Sequence, residues 1–172
     1  MEENEKLRER VRLEEKALDS FGNLVLGVIT FWRETGRWPK SIVVISHEFK
    51  RARFLDLHVK AMRWPKQKVM FEGVDPAFMV VGSEVFDEGQ AKSVRMGEKE
   101  RGFRPWEVDL YGMGEWLREK RKERNFWGGD GKLFANEEER RRSGVVTWVD
   151  GDTGEEGLVS GATQPWEEWN EG

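Results

Sequence analysis

The run "SIVVIS" at residues 41–46 limits the fold of this chain more than any other stretch. Four consecutive β-branched residues, Ile42 to Ile45, favour an extended backbone, and an apolar run without polar alternation suits a strand covered on both faces, as in a parallel sheet. "TGRWPK" at 35–40 ends the preceding helical pattern, because Gly36 can take a left-handed cap and Pro39 cannot continue a helix. Downstream, "FKRARFLDLHVKAMR" at 49–63 puts Phe54, Leu57, Ala61 and His58 on one helical face, and "KVMFEGV" at 68–74 reads as a second strand after the "RWPK" break. Helix, strand, helix, strand is the order of an α/β fold.

Around that centre the chain divides into three parts. Residues 1–18 read as a charged helical lead-in, with Leu7, Val11 and Leu18 at near-helical spacing. Residues 19–128 form the α/β part, opening with Phe21, Leu24, Val25, Val28 and Trp32 on the buried face of a helix. Within it, residues 75–105 lack a clear period and suggest a long irregular connection with at most a short helix. Residues 107–123 predict a further helix with Leu110, Met113, Trp116 and Leu117 facing inward. Residues 129–172 are rich in Gly and charge and predict a largely irregular tail, broken by the strand-like "VVTWV" at 145–149.

Charged residues make up 36% of the chain and apolar residues 37%, so the core is expected to be small and the solvated faces wide. A formal charge of −4 argues against a dedicated duplex-DNA binder. A second nucleic-acid reading, single-strand binding on the nine tryptophans, is weakened by their scatter, which suits core and loop-anchor roles. The absence of cysteine excludes disulfides, thiolate metal sites and a cysteine nucleophile. No apolar segment suits a signal peptide or a membrane span, so the expected setting is intracellular and cytoplasmic, without a membrane partner.

Chemistry concentrates where the first strand ends. In doubly wound α/β folds, ligands bind beyond the carboxyl ends of parallel strands, where helix N-termini favour anions. Ser46, His47, Lys50, Arg51 and Arg53 occupy that place, with Arg51 the leading anion contact, Ser46 a hydrogen-bond donor, and Lys50 or Arg53 steering. The alternative is that these side chains lie along a solvated helix face; Arg51 and Arg53, two apart, cannot share one face. Ser20 and Asn23 could reach the same crevice, whereas Asp19 or Ser20 could equally cap the helix that follows. His47 and His58 are the only imidazoles and "HEFKR" lacks the second histidine of a zinc-protease helix, so no metal site is expected. "GGDGKL" misses phosphate-loop spacing, and "DGDTGEEGLVSG" lacks the glycine and final glutamate of a calcium loop.

The segments "ALDSFGNLVLGVITFWRETGRWPKSIVVISHEFKRARFLDLHVKAMRWP", "VMFEGVDP", "VDLYG" and "LREKRKERNFW" together resemble the fungal branch of the domain-of-unknown-function 218 (DUF218) family, related to SanA-like and YdcF-like proteins, over residues 14–128. The resemblance implies a Rossmann-like parallel sheet with flanking helices and a ligand site, but specifies neither reaction nor cofactor. The family's strand-end motif falls on Ser46, Phe49, Lys50, Arg51, Arg53 and Phe54, and its helix motif on Ser20, Phe21, Gly22 and Asn23, with Gly22 where the family has glutamate. The family's first strands and glycine loop have no counterpart before Asp19, so the sheet is expected to be incomplete. The resulting expectation is a truncated or diverged domain that binds an anionic or nucleotide-like small molecule, with catalysis doubtful. The alternatives are a non-catalytic interaction protein that pairs with another chain along an exposed sheet edge, and a non-functional fragment.

Overall fold

The computed structural model describes residues 10–168. Mixed helix and strand surround a small parallel sheet, an α/β arrangement. The helix Ser20–Thr35 starts where Asp19, in extended conformation, accepts the Gly22 N–H at 2.7 Å. It stops where Gly36 turns left-handed at φ 68° and returns its N–H to Trp32 O. Phe21, Leu24, Val25, Val28 and Ile29 form its buried face.

Strands β1 (Ile42–Ser46) and β2 (Val69–Gly73) pair in parallel, with Val44 opposite Phe71. The crossover between them is a composite helix: a 3-10 turn at Glu48–Lys50, a π-helical run at Arg53–His58 and an α-helical turn at Val59–Ala61. Phe54, Leu57, His58 and Ala61 are buried on one side of it, the face expected from their spacing.

The sheet is covered on one face only. Val44 points into the core, whereas Val43, Ile45 and Met70 are 51%, 70% and 62% exposed. The apolar run therefore does not mark a strand buried on both sides in this chain, and two strands leave both outer edges of the parallel pair unpaired within their sheet.

Four further differences from the sequence reading have local causes. Residues 11–18 are not helical; Val11 and Leu13 are exposed, so no packed stripe stabilises a helix, and the Glu14 carboxylate instead accepts the N–H groups of Lys16 and Ala17. Leu7 lies outside the described residues. The 75–105 connection contains a full helix, Glu88–Glu98, capped by Asp87 and continued through a π-helical stretch (Lys99–Phe103) into Arg104–Val108. Its apolar signal is slight because Ala91 is the one buried residue of Glu88–Glu98. The helix expected over 107–123 is Glu115–Arg124; before it the Asp109 carboxylate takes the Met113 and Gly114 N–H groups, and Met113 and Trp116 are exposed.

The tail is the fourth difference. A helix at Glu137–Ser143 and an antiparallel pair, β3 (Thr147–Val149) with β4 (Glu156–Leu158), lead to a short helix at Pro165–Glu168. Leu133, Phe134, Val145, Leu158 and Trp166 from this region belong to the main core. Trp166 is fully buried, its Nε1–H donates to Met62 O at 2.7 Å, and its ring meets Trp38 and Trp64 with centroids 5.2 and 5.8 Å away. Trp166→Ala should cost about 3–5 kcal/mol in urea unfolding, whereas Trp127→Ala, at an exposed position, should stay within about 0.5 kcal/mol. Equal costs would mean that the tail does not complete the core.

Candidate functional site

The carboxyl end of β1 is occupied by the chain's own carboxylates. Glu48 N–H, at the start of the crossover helix, donates to Asp75 Oδ1 at 2.8 Å, so an internal anion already sits there. The Glu48 carboxylate receives Arg51 Nε and Nη2 at 2.6 and 2.7 Å and lies against Gly73, where a Cβ would collide with it. Arg51 also donates to Phe71 O and spreads over the Phe71 ring, 4.8 Å from its centroid. His47 Nδ1 donates to Val74 O at 2.9 Å and stacks on Phe49, while Ser46 O accepts the Val74 N–H. Ser46, His47 and Arg51 thus close the strand end together.

Lys50 and Arg53 point elsewhere. Arg53 Nε lies 3.1 Å from Glu98 Oε1, with side chains only 12% and 11% exposed, yet neither atom has an aligned hydrogen-bond partner. The pair is held by charge rather than by geometry. Lys120 and Arg124, one turn apart on the helix Glu115–Arg124, bring two more cations within electrostatic reach. Burial lowers the Lys50 ammonium pKa, helped by Arg53 and Arg124, and burial lowers that of Lys120, helped by Arg124 and Arg53. Burial also lowers the Arg53 pKa, and raises the Glu98 carboxyl against the pull of Arg53, Lys50 and Lys120. Lys120 Nζ donates to Arg101 O and Arg124 Nη1 to Leu18 O, so both heads are positioned by neutral carbonyls. Among the described residues the Lys50 ammonium has no carboxylate partner; it lies 5.8 Å from the Phe49 ring centroid.

Ser20 stands at the start of its helix, directed at His58. Its Oγ lies 2.7 Å from His58 Nε2. His58 is fully buried, with ring centroids of Trp106, Phe54 and Phe21 at 4.6, 5.5 and 5.6 Å. Burial, aided by the charge of Arg53, pushes its pKa down to about 3, so the ring is neutral at physiological pH and a poor general base there. The pair fixes the Ser20 hydroxyl and does not activate it. Asn23 is exposed, with its backbone N–H on Asp19 O.

The sequence-predicted residues therefore separate: Lys50 and Arg53 lie within electrostatic reach of each other, Ser46, His47 and Arg51 fill the strand end, Ser20 is bound to the buried His58, and Asn23 is exposed. Glu98, Lys120 and Arg124 were not legible as site residues. Glu98 belongs to a helix with almost no apolar stripe, and the i,i+4 spacing of Lys120 and Arg124 was the one local hint of a shared basic face. Among the described residues no cluster of three or more histidines and carboxylates could hold a metal ion.

The chain is 26% identical over 139 residues to an uncharacterised protein of Saccharomyces cerevisiae; the match covers 78% of this chain and 46% of the yeast protein. The chain thus spans under half the length of that relative. No protein-family model and no solved structure matches it.

His58 supplies a test of the buried geometry. Its folded pKa lies below the ordinary value of 6.5, so between those values the unfolded chain binds a proton that the folded chain does not. The stability from keeping His58 neutral is complete above pH 6.5 and is lost as pH falls toward 3. Urea titrations should show this loss at a limiting slope of about 1.4 kcal/mol per pH unit relative to His58→Gln. Parallel profiles for the two proteins would place the imidazole in water.

Proposed function

We propose that the chain is a divergent DUF218-like domain, with a Rossmann-like but incomplete sheet, that binds a multiply charged anion such as a phosphate-bearing small molecule in the crevice of Lys50, Arg53, Lys120 and Arg124. The observation that carries this reading is the excess of positive charge: Lys50, Arg53, Lys120 and Arg124, with Arg101 beside Lys120, act on one another around Glu98, and only Asp19, on Arg53, and Glu123, on Lys120, add further negative charge. Partial burial strengthens the attraction such a group exerts on an anion. Arginine adds a planar donor fork suited to phosphate oxygens. This departs from a site at the strand end, where Asp75 and Glu48 take the place of a ligand. The low pKa of His58 favours binding over base catalysis.

A second reading, an interaction protein, is supported by the exposed apolar face of the parallel pair and its open edges. It predicts concentration-dependent self-association in sedimentation that Ile45→Lys removes.

Pyrophosphate serves as the probe for the anion site. At about a hundredfold excess over its Kd it should stabilise the chain by about 2.7 kcal/mol, seen as a raised thermal midpoint. The rise should disappear in Lys50→Ala and persist in Arg51→Ala, because Arg51 is already satisfied by Glu48. Loss in Arg51→Ala alone would return the site to the strand end, and no rise in the wild type would end the anion reading.

A further inference from the structure

A cavity of about 250 Å³ lies between the start of the helix Ser20–Thr35, the helix Glu115–Arg124 and the β3–β4 pair. Lys50, Arg53, Glu98 and Lys120 do not line it, so it is distinct from the anion crevice. Its walls include the aromatic residues Phe21, Tyr111 and Trp148, with Leu26, Leu133 and Leu158 completing the apolar lining.

Trp148 is held flat by its partner strand. It stands opposite Gly157 in the β3–β4 register, and a Cβ on Gly157 would come within 2.7 Å of the indole Cζ2. The absent side chain lets the ring lie across β4 and form a wall of the cavity. The indole Nε1 is buried without a hydrogen-bond partner among the described residues.

The arginines and carboxylates at the cavity mouth satisfy one another, while the exposed Lys16, also in the lining, is drawn only at longer range to Asp130 and Glu139. Arg118 donates to Asp150 and Glu155 at 2.7 and 3.0 Å, and Arg121 to Glu155 at 2.7 Å, with Asp19 at 3.3 Å. The Asn125 amide is closed on both sides by the Gly129 backbone, and Tyr111 OH accepts the Gly161 N–H. A charged guest would have to break these pairs or rely on the exposed Lys16, whose attraction water screens, so burial and stacking remain as the means of recognition. Size sets the guest: an apolar cavity of about 150 Å³ holds benzene, and this larger one has room for a second fused ring. Aromatic walls favour a flat guest in offset or edge contact.

We infer that this cavity is a second binding site, for an uncharged, flat, fused-ring aromatic molecule or the uncharged ring portion of a larger ligand. The site stands whether or not the crevice binds an anion.

The test is a titration of the full chain with indole, followed by the Trp148 Nε1–H resonance and assigned with Trp148→Phe. Saturable shifts at Trp148, unaffected by pyrophosphate, are expected. Leu26→Phe, which fills the cavity, should weaken indole by about tenfold or more, and indole-3-acetate should bind no more tightly than indole. No saturable shift at Trp148, undiminished affinity in a folded Leu26→Phe variant, or a clear preference for the carboxylate would overturn the assignment. Should Leu26→Phe fail to fold, the wild-type Trp148 shift decides. Pyrophosphate tests the crevice separately, so failure of one site leaves the other standing.

Discussion

A two-stranded parallel sheet can bury one face against its crossover helix and little more, and the rest of this structure depends on how that shortage of apolar surface is met. Val44 in the core, with Ile42, Val69 and Phe71 packed against it, gives the sheet's contribution. The remainder comes from residues far apart in the chain: the helix Ser20–Thr35, Trp106 from the middle and Trp166 from the end. Large aromatic side chains suit this task because each covers much area at a small cost in rotamer freedom. Trp32, Trp38, Trp166 and Trp64 lie in ring contact in that order, so distant segments are joined through indoles rather than through added strands.

Charge is sorted by the same crossover. Glu48 and Arg51 are three apart and meet on one side, where they seal the strand end over Gly73. Lys50 and Arg53, also three apart, fall on another side, where Arg53 meets Glu98 from a separate helix and Lys50 feels its charge from farther off. One short helical segment therefore carries a neutralised face and an uncompensated one. The uncompensated face gathers Lys120 and Arg124, and the fully buried His58 lies beneath it, kept neutral by burial and by the neighbouring guanidinium. Asp19 also attracts Arg53 from beyond contact distance, but its carboxylate is already paired with Arg121, so Glu98 is the carboxylate in contact with Arg53.

Much of the local structure was legible in the residues themselves. Asp19 and Gly36 bound a helix by their own conformational preferences, and the β-branched run at 42–45 extends because its side chains favour that state. Lys50 and Arg53 were legible only as candidates, because spacing states which side chains share a face and not what that face meets. Glu98, Lys120 and the whole packed tail were not legible. Helix Glu88–Glu98 is specified by a cap and by tertiary contact rather than by apolar periodicity, and Trp166 acquires its role from Met62, Trp38 and Trp64 far earlier in the chain.

By itself, then, the sequence determined the elements at the centre: the capped first helix and the strand–crossover–strand unit. These follow from backbone preference and short-range spacing, which act over a few residues. Only the tertiary structure decided that the sheet has one bare face, that the strand end is filled by Asp75 and Glu48, that cations from two helices share a crevice, and that Trp148 walls a cavity. Each of those depends on which distant surfaces meet, and burial, the force that brings them together, is non-directional and leaves no local period to read.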